Sequence, residues 1–247
     1  NKYPDYEIIN LDALTYAGNP ENLNDINTDR RYRLIEGRVE DIGLAKEIMR
    51  DADSVVHFAA ESHVDRSIVD AQPFLMTNVI GANAMLNAAR GASIKRFIHI
   101  STDEVYGTLG EEGKFTEKTP LRPNSPYAAS KASADLLVRA YHETYGFPAI
   151  IVRPSNNYGP YQFPEKFIPL MITNLIDNKP IPIYGKGKNV RDWLFVEDNC
   201  RAIDIVLHKG KDGEIYNVGG NAEMRNIDIA RKALSLMGKK DELITFV

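Results

Sequence analysis

The sequence predicts an α/β protein: a doubly wound parallel sheet with a smaller substrate-binding lobe. Three observations predict it. Short β-branched or aromatic runs alternate with segments of helical period as far as Arg153. That strand–helix–strand order favours parallel strands joined by crossovers, with helices on both faces of the sheet. After Arg153 the texture shifts to Pro, Gly, Asn and aromatic residues, the mark of turns and short elements.

The strand-like runs are Glu7–Leu11, Tyr32–Glu36, Ser54–Phe58, Arg96–Ile100 and Ala149–Arg153. Between them, Leu44–Met49 is a short helical segment. Pro73–Arg90 carries Phe74, Val79, Ala82, Met85 and Leu86 near helical spacing, and Tyr127–Tyr145 carries Leu136, Leu137, Ala140 and Tyr141. Val196–His208 reads as a helix, Glu214–Val218 as a strand, and Asn226–Met237 as a last helix. The expected domains are a nucleotide-binding domain over 1–156, a substrate-binding lobe over 157–188, a return to the first domain over 189–219, and an incomplete further piece of the lobe over 220–247.

Composition narrows the function classes. The 247 residues are 43% hydrophobic and 26% charged, ordinary for a globular protein large enough to bury a core. A net charge of −4 lacks the basic face of a nucleic-acid binder. No apolar run approaches a membrane span or the core of a signal peptide. Cys200 is alone, which excludes an internal disulfide, and no Cys/His cluster points to a metal. These features read as a cytoplasmic enzyme. Cys200 is expected to be a buried small residue on its helix. His57 and His99, inside strand runs, are expected to be packed, hydrogen-bonded core residues.

The chemistry concentrates where the run Arg96–Ile100 opens into Ser101-Thr-Asp-Glu-Val-Tyr-Gly107. In an open α/β sheet that edge is where ligands bind. Asp103 and Glu104 offer an acid and a base there, provided that their environments differ. Tyr127 and Lys131, four apart, share one face of a helix. A phenol with a pKa near 10 becomes a usable base beside an ammonium and an oxidised nicotinamide. Asp12 closes its strand; in a dinucleotide-binding fold an acid there bonds the adenosine ribose and disfavours a 2′-phosphate, which points to NAD. Asp41 and Ile42 are positioned to meet the adenine.

Together these stretches resemble the extended short-chain dehydrogenase/reductases, and within them the dTDP-glucose 4,6-dehydratases. The resemblance runs through Asp12–Asn19, Phe58–Ser67, Ser101–Gly107, Asn124–Lys131, Arg153–Pro160 and Arg191–Leu194. It implies an NAD-binding Rossmann-like fold and dehydration of dTDP-glucose to the 4-keto-6-deoxy sugar by internal hydride transfer from C4 to C6. Tyr127 would take the proton of the 4-hydroxyl, Lys131 would hold the ribose and lower the phenol's pKa, and Thr102 would bond the 4-oxygen. Glu104 would remove the C5 proton and Asp103 would protonate the departing C6 hydroxyl.

Cofactor contacts carried over by the resemblance are Asp12, Ala13, Leu14, Thr15, Asp41, Ile42, Phe58, Ala59, Ala60, Thr77, Tyr127, Lys131 and Asn157. Sugar-nucleotide contacts are Ser62, Thr102, Asn156, Lys166, Phe167, Pro182, Ile183, Tyr184, Arg191 and Asn226, with Arg191 suited to the diphosphate. The resemblance also implies a homodimer paired through helices 73–90 and 127–145 in a four-helix interface.

The family's first strand and its Gly-x-x-Gly-x-x-Gly turn, which cradles the pyrophosphate, have no counterpart in this chain. That strand belongs between the runs at 7–11 and 54–58, so two sheet edges are expected to lack their partner there. Two other readings stand beside the dehydratase. One is an epimerase or decarboxylase of the same superfamily, and an epimerase has no use for the Asp103–Glu104 pair. The other is a sugar-nucleotide-binding fragment with impaired catalysis, which the absent turn favours.

Overall fold

The computed structural model describes residues 2–110 and 113–247. In chain order the elements are β1 (Ile8–Asp12), β2 (Tyr32–Glu36), α1 (Ile42–Ile48), β3 (Ser54–His57), α2 (Val64–Val69), α3 (Gln72–Phe74), α4 (Ala82–Gly91), β4 (Arg96–Ile100), α5 (Pro126–Tyr145) and β5 (Ala149–Pro154). Then follow β6 (Asn156–Tyr158), α6 (Phe167–Ile176), β7 (Ile181–Ile183), β8 (Val190–Phe195), α7 (Val196–Lys209), β9 (Ile215–Val218), β10 (Glu223–Arg225), α8 (Asn226–Leu236) and β11 (Ile244–Phe246). The expected α/β class with parallel pairing is what forms.

The chain divides into two compact units, residues 1–153 with 205–217, and residues 154–204 with 218–247. The return to the first unit therefore spans 205–217, against the 189–219 read from the sequence.

In the first unit β1 pairs with β2 in parallel, and β3, β4 and β5 pair in parallel in a four-stranded sheet of order β3-β4-β5-β9. Among the described residues β1 pairs with no strand other than β2, and β3 with none other than β4, so the sheet is split where the sequence leads one to expect it. The core gathers Val55, Phe97, Ala149 and Ile151 from the strands, Ala45 from α1, Met85, Leu86, Ala88 and Ala89 from α4, and Val138 from α5. This is the parallel-sheet pattern, in which strands covered by helices run almost continuously apolar. β5 is buried along its whole length.

The helical segment expected over 73–90 is not uniform. Leu75–Gly81 between α3 and α4 is π-helical, a widening that places Asn78 in the interior. Helix α5 begins with Ser125, whose hydroxyl accepts from the Ala128 N–H, and Pro126 at its first position. It ends at Gly146, whose left-handed φ of 62° suits a glycine stop.

The second unit holds a mixed sheet, β10-β8-β6, and the parallel pair β11-β7. Its core packs Met171 and Leu175 of α6 and Ala230 and Leu234 of α8 against Ile181 and Ile183 of β7. On α7 the inward position is Asn199, and Cys200 is exposed, contrary to the sequence expectation. Asn199 shares its face with buried Ile203 and Val206, and Cys200 lies one position off that face.

Candidate active site

The first unit brings Thr102, Asp103, Glu104, Tyr127 and Lys131 together at the C-terminal end of β4. Asp103–Tyr106 forms one 3₁₀ turn directly after the strand. Thr102 caps it, accepting from the Glu104 N–H at 3.2 Å and donating to Asp103 Oδ1 at 3.3 Å. Gly107 closes the turn with φ 84°, and a β-carbon there would stand 2.1 Å from the Arg122 carbonyl, so only glycine fits.

Tyr127 and Lys131 lie on the buried face of α5, 9% and 2% exposed. The Lys131 ammonium donates to the Ile100 carbonyl, the last of β4, at 2.7 Å. Burial, foremost, lowers its pKa from 10.5 to about 8, while the Asp135 carboxylate opposes that shift. For Tyr127, burial first and Glu104 second push the phenol upward, and the Thr102 hydroxyl opposes them by a hydrogen bond. Desolvation and the neighbouring carboxylates thus hold the phenol protonated, and the positive charge of an oxidised nicotinamide is the part of the expectation that the protein's own groups do not supply.

The residue that sequence reading missed is Asn78. Its Oδ1 accepts from the Glu61 N–H at 2.8 Å, and its Nδ2 donates to the Glu61 carbonyl at 2.9 Å and to Ser130 Oγ at 2.8 Å. Ser130 in turn donates to the Tyr127 carbonyl at 2.7 Å. One buried amide therefore ties the loop after β3 to the first turn of α5. The Phe74 ring meets Tyr127 edge-on, with centroids 6.3 Å apart. Phe74 also lines a cleft of about 450 Å³ with Tyr16 and Arg66, whose guanidinium stacks 3.7 Å over the Tyr16 ring. None of the predicted site residues lines it.

The expected cofactor contacts fall at several places in the first unit. Asp12 ends β1 and accepts from the Leu14 N–H at 2.8 Å, and Leu14 itself takes a left-handed φ of 44°. Phe58 is 56% exposed beside Ala59 and Ala60. Asp41 caps α1 by accepting from the Gly43 and Leu44 N–H groups, so part of its bonding capacity is local. Thr77 donates to Glu40 at 3.0 Å. The donor set fits the two ends of a dinucleotide, an acid at the end of β1 for a ribose and an ammonium with a phenol for the other ribose and ring. No glycine-rich turn for the pyrophosphate occurs among the described residues.

The remaining predicted contacts belong to the second unit, except Ser62 after β3. Asn157 has a buried Oδ1 without a hydrogen-bond partner. Phe167 opens α6 and packs near the Trp193 ring, with centroids 6.0 Å apart. Lys166 caps that helix, and Asn156 pairs in register with Trp193. Arg191 lies exposed on β8, and Asn226 starts α8 with its Oδ1 buried and unpartnered. Tyr184 is 69% exposed, and Pro182 also faces outward. Strand alternation in β7 turns the Ile183 side chain into the core at 1% exposure, so any contact it makes with a ligand is through its backbone. The two strand histidines are likewise packed but not hydrogen-bonded as expected; His57 Nε2 and both His99 nitrogens lack partners. Burial holds both neutral, His57 down to about 3.

The depressed Lys131 carries a stability consequence. Between about pH 8 and 10.5 the unfolded chain binds this proton and the folded chain does not, so stability rises with pH across that window. Below it the full cost, on the order of 3 kcal/mol, is present. Guanidinium unfolding of the wild-type chain should show this gain, and Lys131→Met should not. Parallel stability–pH curves for the two proteins would contradict a depressed ammonium.

Residues 1–245 match the family model described as GDP-mannose 4,6 dehydratase. The chain is 52% identical to a dTDP-glucose 4,6-dehydratase of Xanthomonas campestris pv. campestris, over 93% of this chain and 69% of that protein. It is 49% identical to the low-salt glycan biosynthesis protein Agl12 of Haloferax volcanii, over 98% of this chain and 78% of that one. Among solved structures, DesIV, a dTDP-glucose 4,6-dehydratase of Streptomyces venezuelae crystallised with NAD and TYD, superposes with a TM-score of 0.97 at 50% identity, over 99% of this chain and 76% of that one. A UDP-glucuronic acid 4-epimerase of Bacillus cereus superposes at 0.93 with 28% identity, over 100% and 79%. Among the described residues no helix is long and apolar enough to cross a membrane. With its family model spanning nearly the whole chain and dehydratases near half identity, the chain belongs to the nucleotide-sugar 4,6-dehydratase family.

Proposed function

We propose that this protein is an NAD-dependent hydro-lyase that converts dTDP-glucose to the 4-keto-6-deoxy sugar nucleotide and water. The observation that carries the reading is the assembly of Thr102, Asp103, Glu104, Tyr127 and Lys131 at one strand end. When bound, NAD supplies the acceptor for a hydride leaving C4 and its return to C6, which makes the overall reaction redox-neutral. Tyr127 takes the proton of the 4-hydroxyl, with Thr102 directing that oxygen. Its burial keeps the phenol protonated until positive charge arrives beside it. Lys131 supplies one such charge from the next turn of the helix.

With the 4-carbon oxidised, the proton at C5 is acidic, and Glu104 removes it as general base. Asp103 protonates the C6 hydroxyl as it leaves as water, and as hydride returns to C6 a proton is given back to C5. The epimerase reading is weaker because simple oxidation and re-reduction at C4 use Tyr127 and leave these two acids idle. Asp12 and Ala13 to Thr15, Asp41, Ile42, Phe58 to Ala60, Thr77 and Asn157 are the proposed cofactor contacts. Ser62, Asn156, Lys166, Phe167, Pro182, Tyr184, Arg191, Asn226 and the backbone of Ile183 are those for the sugar nucleotide. A cytoplasmic location belongs to the same reading, supported by a lone unpaired cysteine.

We also propose that two copies pair through the segments 73–90 and 127–145. Ile68, Leu75, Met76, Ile80 and Leu136 are large apolar side chains between 44% and 67% exposed on or beside these helices. Apolar area gathered in this way marks an interaction surface. Replacing Met76 and Ile80 together by Lys should convert a dimer to a monomer in sedimentation velocity; an unchanged mass would rule out this face.

The catalytic assignment is tested with NAD, dTDP-glucose and D₂O. Glu104→Gln should lose deuterium incorporation at C5, by roughly 10²-fold or more, while transfer of hydride from C4 to NAD persists. Deuterium exchange at the wild-type rate would remove Glu104 from the base role.

A further inference from the structure

Helix α5 carries a third polar residue on the face of Tyr127 and Lys131. Asp135 follows Lys131 by four positions, and it is 2% exposed. Its Oδ2 accepts from Arg153 Nε at 2.9 Å. Arg153, itself 3% exposed, donates through Nη1 to the Tyr106 hydroxyl at 2.8 Å. The Tyr106 hydroxyl donates onward to Asn217 Oδ1 at 2.7 Å. The other oxygen, Oδ1, lies 3.6 Å from His99 Nε2, and the Ser101 hydroxyl also acts on this carboxyl and lowers its pKa. A buried carboxyl is thus bolted in place by a guanidinium.

As a device for stability alone this arrangement is poorly chosen, because a buried ion pair is often replaceable by apolar residues at no loss. Its neighbour gives it a use. The groups around Lys131 are Tyr127 and Asp135 on its own helix, His57 of β3, His99 of β4 and Arg153 of β5. Both histidines are held neutral by burial, and Arg153 is a cation. Asp103 and Glu104 act on Tyr127. Of all these, Asp135 is the group that favours a charged Lys131.

We propose that Asp135 is a positioning residue for the reaction: a carboxylate anchored by Arg153 that keeps Lys131 an ammonium in a buried site, and so keeps a cation beside Tyr127. The proposal rests on the assignment of Tyr127 and Lys131 given above. Burial pushes the Asp135 carboxyl upward, with Arg153 foremost among the groups opposing it. It is nonetheless a carboxylate at neutral pH, since a neutral acid would leave the permanent charge of Arg153 buried without a counter-ion.

The test reads charge directly, by NMR of the full chain carrying ¹³Cε-lysine and ¹³Cγ-aspartate. The Lys131 signal is identified by its loss in Lys131→Arg, and the Asp135 signal by its loss in Asp135→Asn or, should that fail to fold, in Asp135→Leu with Arg153→Met. In the wild-type chain near pH 7, Asp135 should resonate as a carboxylate; a protonated acid there overturns the proposal. In Asp135→Asn the Lys131 titration midpoint should fall by about one pH unit or more, and an unmoved midpoint in the folded variant overturns it. The double variant removes the Arg153 cation together with the carboxylate and should show a smaller fall; a midpoint there that stays or rises overturns the proposal. These titrations need no substrate. A chain that shows the coupling but does not dehydrate dTDP-glucose would fail the functional reading and leave the coupling standing.

Discussion

The burial of one ammonium organises the active unit. Lys131 sits beneath the end of β4 with an exposure of 2%, and its one fixed acceptor is the Ile100 carbonyl. A charge in that position needs an acceptor and an anion within reach. The acceptor fixes the rotation of α5 about its own axis, because Nζ must reach the last carbonyl of the strand. Once the phase is set, four-residue spacing places Tyr127 above and Asp135 below on the same face. The arrangement of the 3₁₀ turn, the helix and β5 can be derived from that single contact and its counter-charges.

A second constraint fixes the helix along its length. The π-helical stretch before α4 displaces Asn78 inward, and its amide satisfies both backbone groups of Glu61 as well as Ser130. Three polar groups that would each cost about 1–3 kcal/mol if buried alone are paired by one side chain. The loop after β3 and the helix bearing Tyr127 are therefore locked to each other. Such a lock suits a site where a proton must be passed over a hydrogen-bond length, since a misplacement of about 1 Å can cost on the order of 10²-fold in rate.

Much of this was legible in the chain. The β-branched runs and helix-period segments place β1 to β5, β9, α1, α5, α7 and α8 within a residue or two, since period and turn chemistry are local properties. By contrast, α2, α6 and the short strands of the second unit are not among the elements read from the sequence. Tyr127 and Lys131 are readable as a pair because helical spacing is fixed. Asp135 was not, although it obeys the same spacing. An aspartate in a long helix normally faces water, and its burial depends on Arg153 arriving from a strand eighteen residues later. Asn78 was hidden because a regular helix would point it elsewhere. Cys200 is a different case: α7 buries Asn199, Ile203 and Val206 on one face, and the expectation took a cysteine one position off that face as part of it because its side chain is apolar. Ile183 was drawn from a resemblance that speaks of positions, whereas alternation in β7 decides which side chains can be reached.

The adjacent acids raise a further question: how neighbours in sequence could serve opposite roles. On a strand or in an extended loop, Asp103 and Glu104 would point to opposite sides, and one would leave the site. On a 3₁₀ turn, successive side chains are separated by roughly a third of a revolution. Both can then face the same substrate from different directions. The turn exists because the Thr102 hydroxyl caps it and Gly107 releases the chain beneath the Arg122 carbonyl. Both acids raise the Tyr127 phenol, Glu104 the more strongly, and Asp103 in addition accepts from the Thr102 hydroxyl, so the two carboxylates are not placed alike. An acid bonded to a hydroxyl and an acid beside a buried phenol are not equivalent. That inequality, built from one threonine and one glycine, is what an elimination requires of a pair of carboxylates.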